Sequence, residues 1–378
     1  QGRDLYIIDP RGTGVARPLL TCQTYVDNVL DRWRRNLSLE QEWREADEDY
    51  FDCFDEFLEQ VDFAAYNSLT IARDVEWLRN TIGVQRWVLI GVSYASVYAQ
   101  TIVREFPGSV ESMILDSATF PNIHADHNFL TGTMAPYEAL LSYCDADPTC
   151  IEPIEDLEAR LWSLVQSLDQ HPVSAPVTHP YNGVSIAVLL NGHRFVETLI
   201  NGVYGEEIFH KLPVIITDLE QRRTTSLTPF IESYLSYLLD RTFGDVSASS
   251  HYCYETKTFT DLDRMREAAK QLPAGYIRNS ALLAVDWPDF CEALAVGPGE
   301  ARLGLPVETD VPTLFLHGEL DPVTRLEDVQ KQSPQFSNGV VITFPLSHDV
   351  LSSEQCAEVI AAKFVDSPLT EKSGLTCN

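Results

Sequence analysis

The 378-residue sequence predicts an α/β fold, with a mostly parallel sheet covered on both faces and interrupted by a large helical insertion. Two observations carry this. Apolar runs rich in branched residues, "RWVLIG" and "SVESMILDSA", alternate with stretches of helical periodicity up to about residue 121. The same rhythm stops, then returns near residue 311 with "VPTLFLHGELDPVT" and "GVVITFPLSHDVL".

In chain order, "LYII" at residues 5–8 reads as a buried strand, and "DPRGTG" as a turn bringing backbone close to a site. A chain that opens almost inside a strand implies a segment upstream of Gln1 that carries the first strands of the sheet. Residues 22–63 look helical with one wet face. In "NSLTIARDVEWLRNTIG" apolar residues at 71, 75, 78 and 82 mark an amphipathic helix that ends at Gly83. Within 122–300, "LEARLWSLVQSL", "SIAVLLNGHRFVETLI" and "TPFIESYLSYLLD" read as helices, and "HPVSAPVTHPYNG" as an irregular or hairpin segment. Residues 354–365 form a closing amphipathic helix. The expected organisation is a first core part at 1–121, a mainly helical cap at 122–300 and a second core part at 301–378.

Composition narrows the function classes. With 27 Lys+Arg against 56 Asp+Glu the formal charge is -29, which disfavours nucleic acid and anionic membranes as partners. No 20-residue apolar span is present, so no membrane insertion is expected. Eight cysteines at 22, 53, 144, 150, 253, 291, 356 and 377 include no CxxC pair. Disulfides of a secreted or periplasmic protein are the better reading than zinc or redox chemistry. Spacing allows Cys22 with Cys53, Cys144 with Cys150, Cys253 with Cys291 and Cys356 with Cys377, without fixing the connectivity. Asn36-Leu37-Ser38 is a glycosylation sequon if the source is eukaryotic.

The chemistry concentrates at the expected strand ends, where parallel sheets place their ligands. In "VLIGVSYASVYAQ" a strand runs through Gly91 to Ser93 and turns straight into a helix, as in a nucleophile elbow of the form G-x-S-x-G, with Ala95 in the last position. The plain alternative is an ordinary strand-to-helix junction. Asp9 and Asp116 also fall at expected strand ends. Asp321 follows one later strand and His348 another, which gives the order Ser, Asp, His of an α/β-hydrolase fold. Ser93 would be the nucleophile, His348 the base and Asp321 the acid that orients it, with the Tyr94 N–H as oxyanion donor. The second oxyanion donor would come from a loop after an earlier strand. Glu319 is the nearest competitor for the acid role, and Asp349 adjoins His348 too closely to orient its ring.

Other candidates carry less. His124 and His127, with Asp126, have metal-ligand spacing but read better as solvated or structural side chains, and no cofactor or metal is expected. Glu206, Glu207, Asp218 and Glu220 could hold a substrate ammonium group from the insertion, although a solvated helix face explains them as well.

"DPRGTG", "RDVEWLRNTIGVQRWVLIGVSYAS", "GELDPVT" and "PLSHDVL", together with the cysteines at 253, 291, 356 and 377, resemble secreted α/β-hydrolase exopeptidases of the tripeptidyl aminopeptidase and proline iminopeptidase group. The resemblance runs along nearly the whole chain. It implies metal-free cleavage of short peptides from a free N-terminus beneath a helical cap, with nucleophile, acid and base on Ser93, Asp321 and His348. The family's elbow reads Gly-x-Ser-Tyr-Gly-Gly, where this chain has Ala95 and Ser96. Its histidine is flanked by glycines, where this chain has Ser347 and Asp349. A carboxylesterase of small acyl esters, indifferent to an N-terminal charge, is the alternative on the same core. A hydrolase-fold binding protein without catalysis is the alternative from another class. Oligomeric state is not legible.

Overall fold

A computed structural model describes residues 2–123, 129–146, 156–273, 275–286, 290–368 and 375–376. Four strands form a parallel sheet: β1 (Trp87–Val92), β2 (Val110–Asp116), β5 (Thr313–Gly318) and β6 (Gly339–Phe344), in the order β1-β2-β5-β6. The branched-apolar strands are the two runs on either side of the insertion, and they lie side by side because β2 pairs with β5 from Met113↔Thr313 to Asp116↔Leu316. Among the described residues the sheet is an α/β-hydrolase core whose first strand begins at Trp87.

Helices cover both faces of this sheet. Before β1 come α1 (Gln23–Arg32), α2 (Leu39–Leu58) and α3 (Ser68–Ile82). The helix α3 starts on the Asn67 side chain, which accepts from Thr70 N–H, and stops at Gly83 in the left-handed region. Between β1 and β2 runs α4 (Ala95–Glu105). The Ile71, Val75, Ile102, Val103, Met113 and Phe315 side chains pack into one core layer. On the other face Ile114, Leu314 and Leu316 meet the closing helix at Ile360 and Phe364.

Between the sheet halves lie α5 (Phe129–Ala146), α6 (Leu157–Gln170), the hairpin β3 (Val173–Thr178) with β4 (Ser185–Leu190), then α7 (Gly192–Gly202), α8 (Glu207–Glu220) and α9 (Thr228–Leu238). They are followed by α10 (Asp245–His251), a π-turn at Tyr252–Thr256, α11 (Leu262–Gln271), α12 (Tyr276–Asp286) and α13 (Phe290–Ala293). The cap has its own core, which includes Val26, Val29 and Trp33 from the α1 region as well as Leu199, Leu212 and Ile231. The short helices α14 (Leu326–Gln332) and α15 (Val350–Ser353) and then α16 (Gln355–Asp366) complete the fold.

Two expectations fail. Residues 5–8 are not a strand: Leu5 is 78% and Ile7 87% exposed. An apolar run becomes a buried strand only when a neighbour takes its hydrogen bonds and a layer covers it. Here, among the described residues, no strand pairs with the run, and Arg3–Glu111 at 2.9 Å and an edge contact of Tyr6 with Trp87 hold it beside the sheet. Asp9 is therefore at no strand end; it is exposed and accepts from Val15 N–H. The other failure is "SIAVLL", expected as helix, which pairs with residues 173–178 as β4. Its β-branched and aliphatic residues pack on a hairpin face, and the helix begins only after Asn191, whose side chain caps it.

Both disulfides that fall wholly within the described residues, Cys22–Cys53 and Cys253–Cys291, have the expected partners. Cys356 is also disulfide-bonded. Its expected partner Cys377, the Cys150 expected to pair with Cys144 and the His124, Asp126, His127 group lie outside the described residues. Among the described residues no group of acids, histidines and cysteines could hold a metal ion, and no helix is long and apolar enough to cross a membrane.

Candidate active site

The carboxyl end of β1 turns sharply into α4, and Ser93 stands at the turn with φ +54°, a conformation that non-glycine residues seldom adopt. The turn is held by Ser93 N–H donating to Asp116 O at 2.9 Å and by Ser96 Oγ donating to Ser93 O and to Thr119 O. Gly91 is required here, because a Cβ would lie 2.7 Å from Ala95 O. Ala95 has ordinary helical geometry, so alanine replaces the elbow's usual last glycine without strain. Among the described residues, Ser96 and Val97 N–H donate to Ser93 O and Tyr94 O. Tyr94 and Ala95 thus supply the first amides at the mouth of the helix.

Asp321 follows β5 in a turn that surrounds its carboxylate. Val323 N–H donates to it at 2.8 Å, Thr324 N–H at 3.0 Å and Thr324 Oγ1 at 2.6 Å. The fourth donor is His348 Nδ1, at 2.9 Å from Asp321 Oδ2. Burial pushes this carboxyl up, but the hydrogen bond and charge of His348, with Thr324, outweigh it and hold Asp321 below its ordinary range. Both side chains are buried. Gly318 allows the two loops to approach: a Cβ there would lie 1.8 Å from Ser347 O.

The histidine loop is fixed from three sides. Asp116, at the end of β2, accepts from Leu351 N–H at 2.6 Å and Val350 N–H at 3.2 Å, and Asp349 N–H donates to Ser117 Oγ at 2.9 Å. Asp349 itself sits at φ +58°, in the left-handed region where aspartate is tolerated, and its carboxylate caps α15 through Ser352. From the cap, Ser347 Oγ donates to Val203 O, His348 N–H donates to Tyr204 O at 3.3 Å, and the Tyr204 ring stands edge-on to the imidazole at 5.0 Å.

Ser93, Asp321 and His348 thus lie at the carboxyl ends of β1, β5 and the β6 loop, and the structure joins the acid to the base. Among the described residues no hydrogen bond joins Ser93 Oγ to His348. Glu319 is turned away, accepting from Thr343 Oγ1 at 2.7 Å. Of the cap acids, Asp218 pairs with Arg223 and Glu220 with Arg160. Glu206 is half-buried two residues after Tyr204, and Glu207 is exposed.

Three contributors were not read from sequence. Asp116 was placed at a strand end but given no role, although it anchors the turn that follows His348. Glu255, on the π-turn, accepts from Ser68 N–H and Oγ and from Tyr94 Oη at 3.1 Å, so it fixes the side chain next to Ser93. His317, wholly buried on β5 beneath the acid loop, has its pKa lowered chiefly by burial and stays neutral.

With this geometry in view, residues 1–141 match the α/β-hydrolase fold family, and residues 279–377 match a family described as TAP-like protein. These matches agree with the α/β-hydrolase fold that the sheet and its helices show. It is similar to the serine protease Hip1 of Mycobacterium tuberculosis (strain H37Rv) and of Mycobacterium bovis, 23% identical over 99% of this chain and 74% of each relative. Solved structures that the chain matches include an esterase from Thermogutta terrifontis, 12% identical, covering 80% of this chain and 73% of that one with a TM-score of 0.32. Another is the epoxide hydrolase of Bacillus megaterium, 12% identical over 82% of this chain and 79% of that one with a TM-score of 0.33.

Proposed function

We propose that this chain is an exported serine hydrolase that cleaves short peptides from a free N-terminus through an acyl-enzyme. The observation that carries the reading is the 2.9 Å bond from His348 Nδ1 to Asp321, on loops that converge on the strained elbow of Ser93. With Nδ1 donating to Asp321, the imidazole keeps Nε2 unprotonated, the tautomer a general base needs. Ser93 Oγ attacks the scissile carbonyl as His348 Nε2 takes its proton, and Tyr94 N–H donates to the oxyanion. The C–N bond breaks as that proton passes to the leaving amine. Water, deprotonated by the same nitrogen, then cleaves the ester. Substrate binding brings Ser93 Oγ within hydrogen-bond reach of the ring, a contact that commonly tightens only with substrate present.

The similarity to serine proteases supports peptide over ester, the disulfides support export, and Glu206, two residues after the Tyr204 that stands against the imidazole, is the proposed partner of a substrate's amino end. The test is intact-mass analysis before and after a fluorophosphonate, with Ser93→Ala as control. One adduct absent from the variant is expected, followed by faster cleavage of free than of N-acetylated peptide amides. No adduct on folded protein removes the catalytic reading; equal cleavage of the two peptides removes the exopeptidase reading.

A further inference from the structure

Away from Ser93, Asp321 and His348, a cavity of about 360 Å³ lies between α1, α2, α7 and α9. Tyr25, Trp33, Tyr50 and Tyr234 supply aromatic surface, and Arg32, Glu42, Asp47 and Glu197 supply charge. Most of that charge is already matched. Arg32 pairs with Asp49 and lies over the Tyr25 ring, 4.7 Å from its centroid. Glu42 accepts from His193 Nε2 at 2.8 Å and from Arg194 Nη2 at 2.7 Å, and Asp47 has an interaction of its own.

Glu197 differs. Half-buried, it lines this wall, and among the described residues it forms no ion pair. Its one hydrogen bond is a long one from Tyr234 Oη, at 3.5 Å. A carboxylate flanked by aromatic rings and without an ion pair of its own is the complement of an ammonium group, which gains both the charge pair and the ring faces. An anionic ligand would meet Glu197, Glu42 and Asp47, and a wholly apolar one would leave Glu197 unmatched.

We propose that this cavity binds a primary ammonium compound with a small apolar body, its nitrogen on Glu197 and its body against Tyr25, Trp33 and Tyr234. The inference stands apart from the hydrolytic reading, since none of the three catalytic candidates lines the cavity. A second consequence concerns protons. Burial pushes the Glu197 carboxyl up to about 7, Glu42 adding to this while His193 and Arg194 oppose it and the Tyr234 bond lowers it. An arriving cation favours the ionised form, so binding at neutral pH releases part of a proton.

The experiment is titration calorimetry of the full chain with 2-phenylethylamine and with the neutral 2-phenylethanol, in two buffers of different ionisation enthalpy at pH 7. The amine is expected to bind at least tenfold tighter than the alcohol, with an enthalpy that differs between buffers. Glu197→Gln should weaken the amine at least tenfold and abolish the buffer dependence. Equal binding of amine and alcohol, no binding of the amine, or unchanged amine affinity in folded Glu197→Gln overturns the proposal. Should that variant not fold, the amine-to-alcohol ratio and the proton release of the unaltered protein decide alone.

Discussion

Tyr94 Oη donates to Glu255 Oε2 at 3.1 Å, which ties the residue after Ser93 to a π-turn 161 positions further along the chain. The same carboxylate receives Ser68 N–H and Oγ from the start of α3. Glu255 therefore holds the side chain of the residue that follows Ser93 at the elbow, which makes it a candidate positioning residue for the proposed oxyanion donor. Glu255→Ala leaves the buried Ser68 donors without an acceptor, at a cost of about 2–3 kcal/mol read as a lower denaturation midpoint. Glu255→Gln should restore most of that stability. If Glu255 positions the elbow, labelling of Ser93 by a fluorophosphonate slows about tenfold in Glu255→Ala even well below its unfolding temperature; an unchanged labelling rate assigns it to stability alone.

Asp321→Asn reverses the hydrogen-bonding preference at His348, because an amide can donate to Nδ1 and so favours the wrong tautomer. Turnover is expected to fall on the order of 10³–10⁴-fold with little change in KM. The elbow and the sheet do not depend on that charge, so the thermal midpoint should move only slightly. A loss below tenfold would show that Asp321 does not orient the base.

The elbow was legible because everything it needs is local: a branched-apolar strand, Gly91 and a run of small residues within a few positions of Ser93. Asp321 and His348 were legible for a related reason, each following a strand of the same parallel sheet. What remained hidden depends on contacts distant in sequence. Glu255 meets Ser68 across 187 positions, and Glu197 meets Tyr234 across a cavity walled by α1 and α2, which the sequence assigned to the first core part. The "LYII" run misled because apolar composition alone does not reveal whether a neighbouring strand is there to pair with it.

Asp116 makes stability depend on acidity. Burial, its largest influence, together with the Asp349 charge, lifts its carboxyl from an ordinary 3.8 to about 6, against the pull of the Leu351 and Val350 N–H groups. Between these values the folded state holds more protons than the unfolded one. Its contribution is therefore fully present well below pH 3.8 and lost well above pH 6, about 3 kcal/mol in all, of which about 2 kcal/mol goes between pH 3.8 and 6. Depressed carboxyls such as Asp321 act in the opposite sense, so the quantity to measure is the difference between the chain and Asp116→Asn. That difference should change by about 2 kcal/mol between pH 4 and 6.5 in urea titrations. A constant difference would show that the carboxyl titrates normally.

Gly318 separates the acid loop from the base loop by less than one methyl group. With a Cβ placed 1.8 Å from Ser347 O and 2.4 Å from Leu346 O, Gly318→Ala must move backbone rather than a side chain. The displacement falls on the loop that carries His348, so activity should fall at least a hundredfold and stability by about 1–3 kcal/mol. The control is Gly108→Ala, where no atom lies within 4 Å of the added Cβ and neither quantity should change appreciably.

The Cys253–Cys291 bridge closes a loop of 38 residues that contains Glu255 two positions after its first cysteine. Chain-entropy reasoning assigns such a loop about 4 kcal/mol of stability, through restriction of the unfolded chain. The Cys22–Cys53 bridge, spanning 31 residues between the start of α1 and α2, has nearly the same entropic worth and packs in the same cluster, but it does not close the segment that carries Glu255. Replacing either pair with alanines should therefore lower the denaturation midpoint by similar amounts. Loss of the Cys253–Cys291 bridge should also slow fluorophosphonate labelling of Ser93, more than loss of the other, under conditions where both variants are folded, because that bridge is anchored in the same π-turn from which Glu255 reaches Tyr94. Equal slowing in both variants would mean that labelling follows global stability and that the π-turn is not a separate support of the elbow.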